Sequence, residues 1–472
     1  MPLSLYNDLT HQKEIFTPLE KGKVRFYVCG PTVYDYIHVG NARPFILFDI
    51  LRRHMEDMGY EVVYVQNFTD IDDKMINKAR DLGISVDELA ERFITAYFED
   101  ADALGIRRAT MYPRATHYIP QIIKLVERLI ERGHAYVVDG DVYFDVLSFP
   151  GYGRLSKQSL EELLSGARVE IDPKKRHPLD FALWKAQKPG EPAWDSPWGM
   201  GRPGWHIECS AMAIDILGET IDIHAGGSDL LFPHHENEIA QAEAATGKAF
   251  VRYWIHNGYL LIEEEKMSKS LGNIVSVREA MRLYSPLAIR LFMLSAHYRS
   301  PLSFSGEALN HAVSAAGRLQ NGWKELSFAL QHRPRKKERD DVLRETIETT
   351  EARYEEELND DFNTAGALGA AFDCVRVVNS YLAQHEEVDE ESLIEAERFL
   401  ARVDRVMGII DIERLADIDD LMTSEIERFV SERERARKAK DFKKADAIRE
   451  ELAKKGIILE DTPHGTRWSK AM

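Results

Sequence analysis

Cysteine is scarce in this chain, with three residues in 472, at positions 29, 209 and 374. That excludes a disulfide framework and points to a reducing compartment or to metal binding. Long apolar runs are absent too. Nothing approaches the roughly 20 consecutive apolar residues that span a bilayer, so no membrane partner is expected. The first residues, Met1-Pro2-Leu3-Ser4-Leu5-Tyr6-Asn7, lack the basic stretch and apolar core of a secretory leader, and a cytoplasmic location is expected. Positive charge is in deficit. The net charge of −18 excludes a protein that coats nucleic acid by bulk attraction. The tail departs from this, because Leu421 to Met472 holds 13 Lys and Arg against 10 Asp and Glu. Charge alone leaves two readings of that tail, a nucleic-acid-contacting module and a solvated helix with paired charges.

What is present suits a large enzyme. A chain of 472 residues suggests about three domains of roughly 150 residues each, enough for a sizeable core. Lys23 to Cys29 reads as a strand, with Val24, Phe26 and Val28 alternating. Gly30-Pro31 stops it. Helical spacing resumes at Phe45, Phe48, Ile50-Leu51 and Met55. Cys29 therefore sits at the carboxyl end of a strand, and His38-Val39-Gly40-Asn41 sits at a helix start. Open α/β sheets bind ligands at that end, and a helix amino terminus suits a phosphate.

Further along, Glu61 to Asn67 is a second apolar strand running into the acidic patch Asp70, Asp72 and Asp73. Helices are expected from Ser85 to about Leu104 and from Ile119 to Arg132, and a hairpin over Ala135 to Phe144 with its Asp139-Gly140 turn. The irregular stretch to about Met200 reads as an insertion. Gly199-Met200-Gly201-Arg202-Pro203-Gly204 matches a dinucleotide-site glycine pattern, but no strand precedes it and Pro203 removes a donor, so a loop is expected. A helix opens near Trp205, a strand runs over Thr220 to His224, a helix begins at Pro233, and a last strand spans Val251 to Leu261. From Ser276 on the pattern is helical, ending in one charged helix, Ser424 to about Lys455, and a small hairpin.

Four residues make a candidate metal set. His234 and Glu238 are four apart and share a helix face. Cys29 and Cys209, each placed before a helix, add a thiolate apiece, and zinc accepts such a set. Residue types leave this open, since buried free thiols are common and His-His-Glu also suits a capped helix start. Cys374, in the apolar run Ala370 to Val378, reads as core.

His38-Val39-Gly40-Asn41 resembles the His-Ile-Gly-His box of class I aminoacyl-tRNA synthetases. Far downstream, Lys266-Met267-Ser268-Lys269-Ser270 matches their second box letter for letter. Together with Cys29 and the metal set, these make the chain similar to the cysteinyl-tRNA synthetases. The resemblance covers nearly the whole chain, including Asn359-Asp360-Asp361-Phe362-Asn363-Thr364 of a helical domain and a tail like the family's anticodon-reading module.

The resemblance implies an α/β fold. A Rossmann-like catalytic domain with a parallel sheet would span 1–275, with an insertion at about 112–200. A helical stem-contact region and linker at 276–335, a helical bundle at 336–412 and a small mixed α+β module at 413–472 would follow. It implies one Zn²⁺ held by Cys29, Cys209, His234 and Glu238, with the substrate sulfur bound as thiolate and Glu238 the most weakly held ligand. Size alone separates cysteine from serine or alanine by about 1–3 kcal/mol, and no editing domain is evident, whereas a thiolate is a far better soft ligand than a hydroxyl. His206, His224 and His235 would surround the zinc, with Thr69 and Trp205 walling the amino-acid pocket and Asp229 holding the ammonium. His256 is expected to be structural.

The implied reaction is attack of the cysteine carboxylate on the α-phosphorus of ATP, then transfer of the acyl group to the 3′ end of tRNA(Cys). Gly40, His38, Asn41, Lys266, Ser268 and Lys269 would bind the triphosphate with Mg²⁺, and His38, Asn41, Lys266 and Lys269 would carry the chemistry. Asn41 stands where the box usually ends in His, and it donates a hydrogen bond without carrying a proton. Trp468 would stack on a base. A monomer is expected. Two other readings are a ligase passing cysteine to a small amine, as in mycothiol-type biosynthesis, and a non-catalytic tRNA-binding paralogue. Relatives of the first kind generally lack the tail module, which this chain keeps, and the second should have lost at least one motif.

Overall fold

The computed structural model describes residues 1–166, 173–262, 265–266, 275–454, 457–462 and 465–470. The chain divides into two compact units, residues 1–315 with 352–370 and residues 316–351 with 371–472. No helix among the described residues is long and apolar enough to cross a membrane.

The first unit is built on a four-stranded parallel sheet. Its strands are β1 (Lys23–Val28), β2 (Glu61–Gln66), β3 (Ile221–Gly227) and β4 (Val251–Asn257), in the order β4-β3-β1-β2. Val24, Phe26, Tyr27 and Val28 are all buried, as parallel strands covered on both faces require. Helix α1 (Val39–Asp57) follows β1. Helices α2 (Trp205–Leu217) and α3 (Glu236–Thr246) flank β3 in sequence. The Cys29 amide donates to the Ala225 carbonyl at 3.2 Å, which carries the β1–β3 pairing one residue past the strand. Gly30 then passes against β2's end so closely that a Cβ would stand 1.7 Å from the Asn67 carbonyl oxygen. Only glycine fits there, and Cys29 is thereby held over the sheet's carboxyl edge.

Between β2 and β3 lies an antiparallel sheet of Ala135–Val138, Asp141–Phe144, Phe181–Ala186 and Gly201–Pro203. Asp139 and Gly140 both take positive φ, the hairpin turn expected from the sequence. The Gly199–Gly204 stretch is not the loop expected from its glycines. Gly201–Pro203 pairs with Trp184 to Ala186 as an edge strand, where a proline's missing donor costs nothing. This insertion shares one core with the helix Ile119–Glu131 and with Ile207, Ala211, Ala240 and Ala244 of α2 and α3. Its packing therefore fixes the two helices that carry the metal-ligand candidates.

Other expectations need correction. Val251 to Leu261 is not one strand, because Leu260–Ile262 leaves the parallel sheet to pair with Leu302–Phe304 and Glu265–Lys266. No α-helix starts at Pro233. A single wide turn, Leu231–His235, contains extended Phe232 and a cis Phe232–Pro233 bond, and α3 begins after it. Residues 352–370 group with the first unit because Asp361 bonds Tyr6, Tyr298 and Arg299.

In the second unit, Cys374 is buried in the helix Thr364–Gln384 as core. The tail's expected single helix is two, Ile412–Lys438 and Phe442–Lys454, broken at Lys440, whose φ is positive. The hairpin Ile457–Thr462 with Gly465–Lys470 is present. Arg433 forks onto both Asp461 oxygens at 2.6 and 2.8 Å and thus clamps the hairpin to the first of these helices. The guanidinium holds the Asp461 carboxyl well below the usual carboxylate range. A depressed folded value stabilises above the unfolded pKa of about 3.9 and is lost as pH falls toward the folded one. Acidification below about pH 4 is therefore expected to lower the hydrogen-exchange protection factors of the Ile457–Thr462 amides, and Arg433→Met should give low protection at every pH. Wild-type protection that does not change with pH would contradict the clamp.

Candidate metal centre and nucleotide cleft

Six donor side chains converge at the carboxyl edge of the sheet. From Cys29 Sγ, His224 Nε2 and His235 Nε2 each lie at 3.4 Å, His234 Nε2 at 3.5 Å, Glu238 Oε1 at 3.6 Å and Cys209 Sγ at 3.8 Å. All six residues are buried. Donors bound at about 2.0–2.3 Å in a tetrahedron stand about 3.3–3.8 Å apart, so the spacing fits zinc. The chemistry fits as well. Burial pushes the Cys29 thiol and the Glu238 carboxyl up and holds His224 and His235 well below the usual imidazole value. The neighbouring Cys29 brings Cys209 down to about 7. Glu238 Oε2 is buried with no hydrogen-bond partner. Without a cation Cys29 and Glu238 therefore keep their protons, and a cation bound among these converging donors would displace those protons and take the lone pairs.

Two overlapping donor sets exist, Cys29, Cys209, His234 and Glu238, and Cys29, His224, His235 and Glu238. The first is the set expected from the sequence. Cys209 lies in the second turn of α2 rather than before a helix, and His234 precedes α3, with Glu238 Oε1 3.1 Å from its Nε2. Each imidazole is oriented from behind. His234 Nδ1 is 2.9 Å from His206 Nδ1. His235 Nδ1 is 2.7 Å from His256 Nε2, and His256 Nδ1 is 2.8 Å from Asp8 Oδ2. His224 stacks on Trp254 with ring centroids 4.5 Å apart. Such partners fix tautomer and orientation.

Of the six donors, Cys29 lines a cleft of about 310 Å³ that runs past His38, Gly40 and Asn41 and includes Trp205, Asp229, Gly258 and Tyr259. Thr69 is buried beside it and does not line it. The start of α1 carries a reciprocal cap. Asn41 N donates to His38 Nδ1 at 3.1 Å, and His38 N donates to Asn41 Oδ1 at 3.3 Å. A neutral ring accepting at Nδ1 carries its proton on Nε2, and Asn41 is left oriented with its Nδ2 as donor.

The same helix start is bound to the chain that follows the second box. Val39 N donates to the Val275 carbonyl and Val277 N to the Ile37 carbonyl, both at 3.0 Å. Ser268 and Lys269 lie outside the described residues, and Lys266 is described as backbone of the short strand Glu265–Lys266. Asp8 was not legible as a site residue, since its pairing with His256 is wholly tertiary. In the tail, Trp468 packs on the module core with Ile426, Ile448 and Leu459, while Phe442 is 60% exposed.

A parallel sheet with an antiparallel insertion and following helices is the fold of class I aminoacyl-tRNA synthetases. The structure is similar to Mycobacterium tuberculosis methionyl-tRNA synthetase bound by methionyl-adenylate, with a TM-score of 0.61 and 18% identity over 82% of this chain and 92% of that one. It also resembles a synthetase in the Agrobacterium radiobacter K84 agnB2 LeuRS–tRNA complex, with a TM-score of 0.60 and 11% identity over 85% of this chain and 86% of that one. Residues 15–314 match the model of the class I (C) tRNA synthetase catalytic domain, 353–411 the DALR domain and 419–468 the cysteinyl-tRNA ligase anticodon binding domain.

Among full-length relatives, the chain is 55% identical to the cysteine–tRNA ligase of Caldicellulosiruptor saccharolyticus over 98% of this chain and 99% of that protein. It is 51% identical to that of Clostridioides difficile over 99% and 100%. The chain belongs to the cysteine–tRNA ligase family.

Proposed function

We propose that this chain activates L-cysteine with ATP and transfers it to the 3′ end of tRNA(Cys), using one cleft for both steps. The observation that carries the reading is convergence. Cys29 of the donor cluster and the His38–Asn41 helix start line that cleft together, and the Val275–Val277 segment that follows the second box in sequence is bonded to the same helix start.

Cys29, Cys209, His234 and Glu238 would hold a zinc ion, with His206, His224 and His235 orienting the set, and the ion would supply there a soft Lewis acid that favours a thiolate over a hydroxyl. Cys29 presents that floor to the cleft, Trp205 shields it from water and Asp229 receives the substrate ammonium. The cysteine carboxylate then faces the α-phosphate. His38 Nε2 and Asn41 Nδ2 donate to the triphosphate, and the helix start adds backbone N–H groups and its partial positive charge. Lys266 and Lys269 neutralise charge developing on the leaving pyrophosphate, with Mg²⁺ entering with ATP. Phe442, exposed on the tail module, is better placed than Trp468 to stack on a base. A monomer in the cytoplasm is the expected state.

The test is incorporation of labelled cysteine into total tRNA alongside cysteine-dependent pyrophosphate exchange. Charging supports the reading, and exchange without charging would assign the acyl group to another acceptor. Lys269→Ala is expected to lower exchange by about 10²–10³-fold with zinc content unchanged. Near-normal exchange would remove Lys269 from the mechanism.

A further inference from the structure

Arg43, two positions after Asn41 on α1, is fully buried. Its Nη1 donates to the Gly258 carbonyl at 2.7 Å and the Tyr259 carbonyl at 2.9 Å. Its Nη2 donates to the Ser300 carbonyl at 2.8 Å and the Tyr298 carbonyl at 3.4 Å. Among the described residues the guanidinium meets these carbonyls and no carboxylate. A buried cation without a counter-ion is a costly way to secure a fold that apolar packing would hold as well, so its retention beside the cleft asks for a reason.

The geometry supplies one. Gly258 and Tyr259 line the same cleft as His38 and Asn41. The Tyr298–Ser300 loop behind them is held from its other side. Tyr298 Oη donates to Asp361 Oδ1 at 2.8 Å and Arg299 Nε to Asp361 Oδ2 at 2.9 Å, while the Asp361 amide donates to the Ser4 carbonyl at 2.9 Å. There is no slack between loop and wall, because a Cβ on Gly258 would stand 2.5 Å from the Arg299 carbonyl oxygen and 2.6 Å from that of Ser300. We propose that Arg43 is a positioning residue for the nucleotide, a fork that fixes the Gly258–Tyr259 wall at a set distance from the phosphate-binding start of α1. This rests on the reading that ATP meets His38 and Asn41.

Lysine keeps the charge but cannot fork across two loops. In pyrophosphate exchange, Arg43→Lys is expected to raise the KM for ATP about 10–100-fold, as small misplacements at a reacting centre do. The KM for cysteine and the zinc content should stay within about twofold, since the metal floor is built from other elements. A merely structural role would move both KM values together or neither, and either result in folded protein overturns the proposal. Should Arg43→Lys fail to fold, Tyr298→Phe decides. It removes one hydrogen bond behind the loop and should raise the KM for ATP about fivefold with cysteine unaffected, and no split there overturns the proposal. Asn41→Ala separates the two levels. A normal KM for ATP in that variant would sink the cleft reading and the clamp with it, whereas a raised value beside a flat Arg43→Lys result would sink the clamp alone.

Discussion

Replacing Cys209 with serine is expected to empty the metal site and to lower cysteine-dependent pyrophosphate exchange about a thousandfold, equivalent to about 4 kcal/mol of transition-state stabilisation. The substitution is nearly isosteric at a buried position in α2, so the helix should keep its packing. What changes is the donor. A four-ligand zinc site binds with roughly 10–16 kcal/mol, and exchanging one soft thiolate for a hard hydroxyl removes about a quarter of that, or some 10²–10³ in affinity. Cys374→Ser is the internal control. That thiol is also buried, but in the helix Thr364–Gln384, and its loss should leave zinc content and exchange as they were. The same logic governs selectivity. Cysteine and serine differ by one atom, and a pocket that reads size alone separates such pairs by about 10–200-fold. Chelator-treated enzyme should fall to that range. One zinc per chain with normal exchange in Cys209→Ser, or undiminished preference for cysteine after chelation, would break the assignment.

The four residues expected as a metal set, Cys29, Cys209, His234 and Glu238, do converge in the structure. Their types and the His–Glu spacing made them candidates, and the family resemblance made them a zinc set. His224 and His235 were expected around that set from the resemblance, but residue pattern alone does not place them within reach of Cys29. Sheet order and the turn at Pro233 bring them there, so that six donors converge where four were expected as ligands. Asp8 sits in a lead-in without motif and reaches His256 only through the fold. Short edge elements were misread for a related reason. Gly201–Pro203 has no strand propensity of its own and is a strand because Trp184 to Ala186 offers it partners. The long charged helix of the tail hid a break at Lys440, a residue with no sequence signal for positive φ. Regular strands and helices with strong periodicity, such as β1 and the helix Ile119–Glu131, fell where their spacing put them.

His38→Ala and His38→Asn should part company, and the difference isolates what the helix start does. In the folded chain His38 lines the cleft and its Nδ1 accepts the Asn41 amide, capping α1. Under the proposed function the ring has a second duty, to donate from Nε2 to the triphosphate. Alanine removes both. Losing an N-cap costs about 1 kcal/mol of stability, and losing a donor aimed at developing charge costs about 10²–10³-fold in rate. Asparagine is among the best N-cap residues, so His38→Asn should recover the melting temperature. Its amide, turned back on the Asn41 N–H, cannot also reach a phosphate, so exchange should stay as low as in the alanine variant. Asn41 itself fits this arrangement. Its side-chain oxygen accepts the His38 N–H while the same amide keeps its Nδ2 as a donor. Thermal melts and pyrophosphate exchange on the two His38 variants, with zinc content and the KM for cysteine as controls, check the division. Exchange restored in His38→Asn would mean that capping alone is what adenylate formation requires of this residue, and the triphosphate would have to be held by Asn41 and the second box.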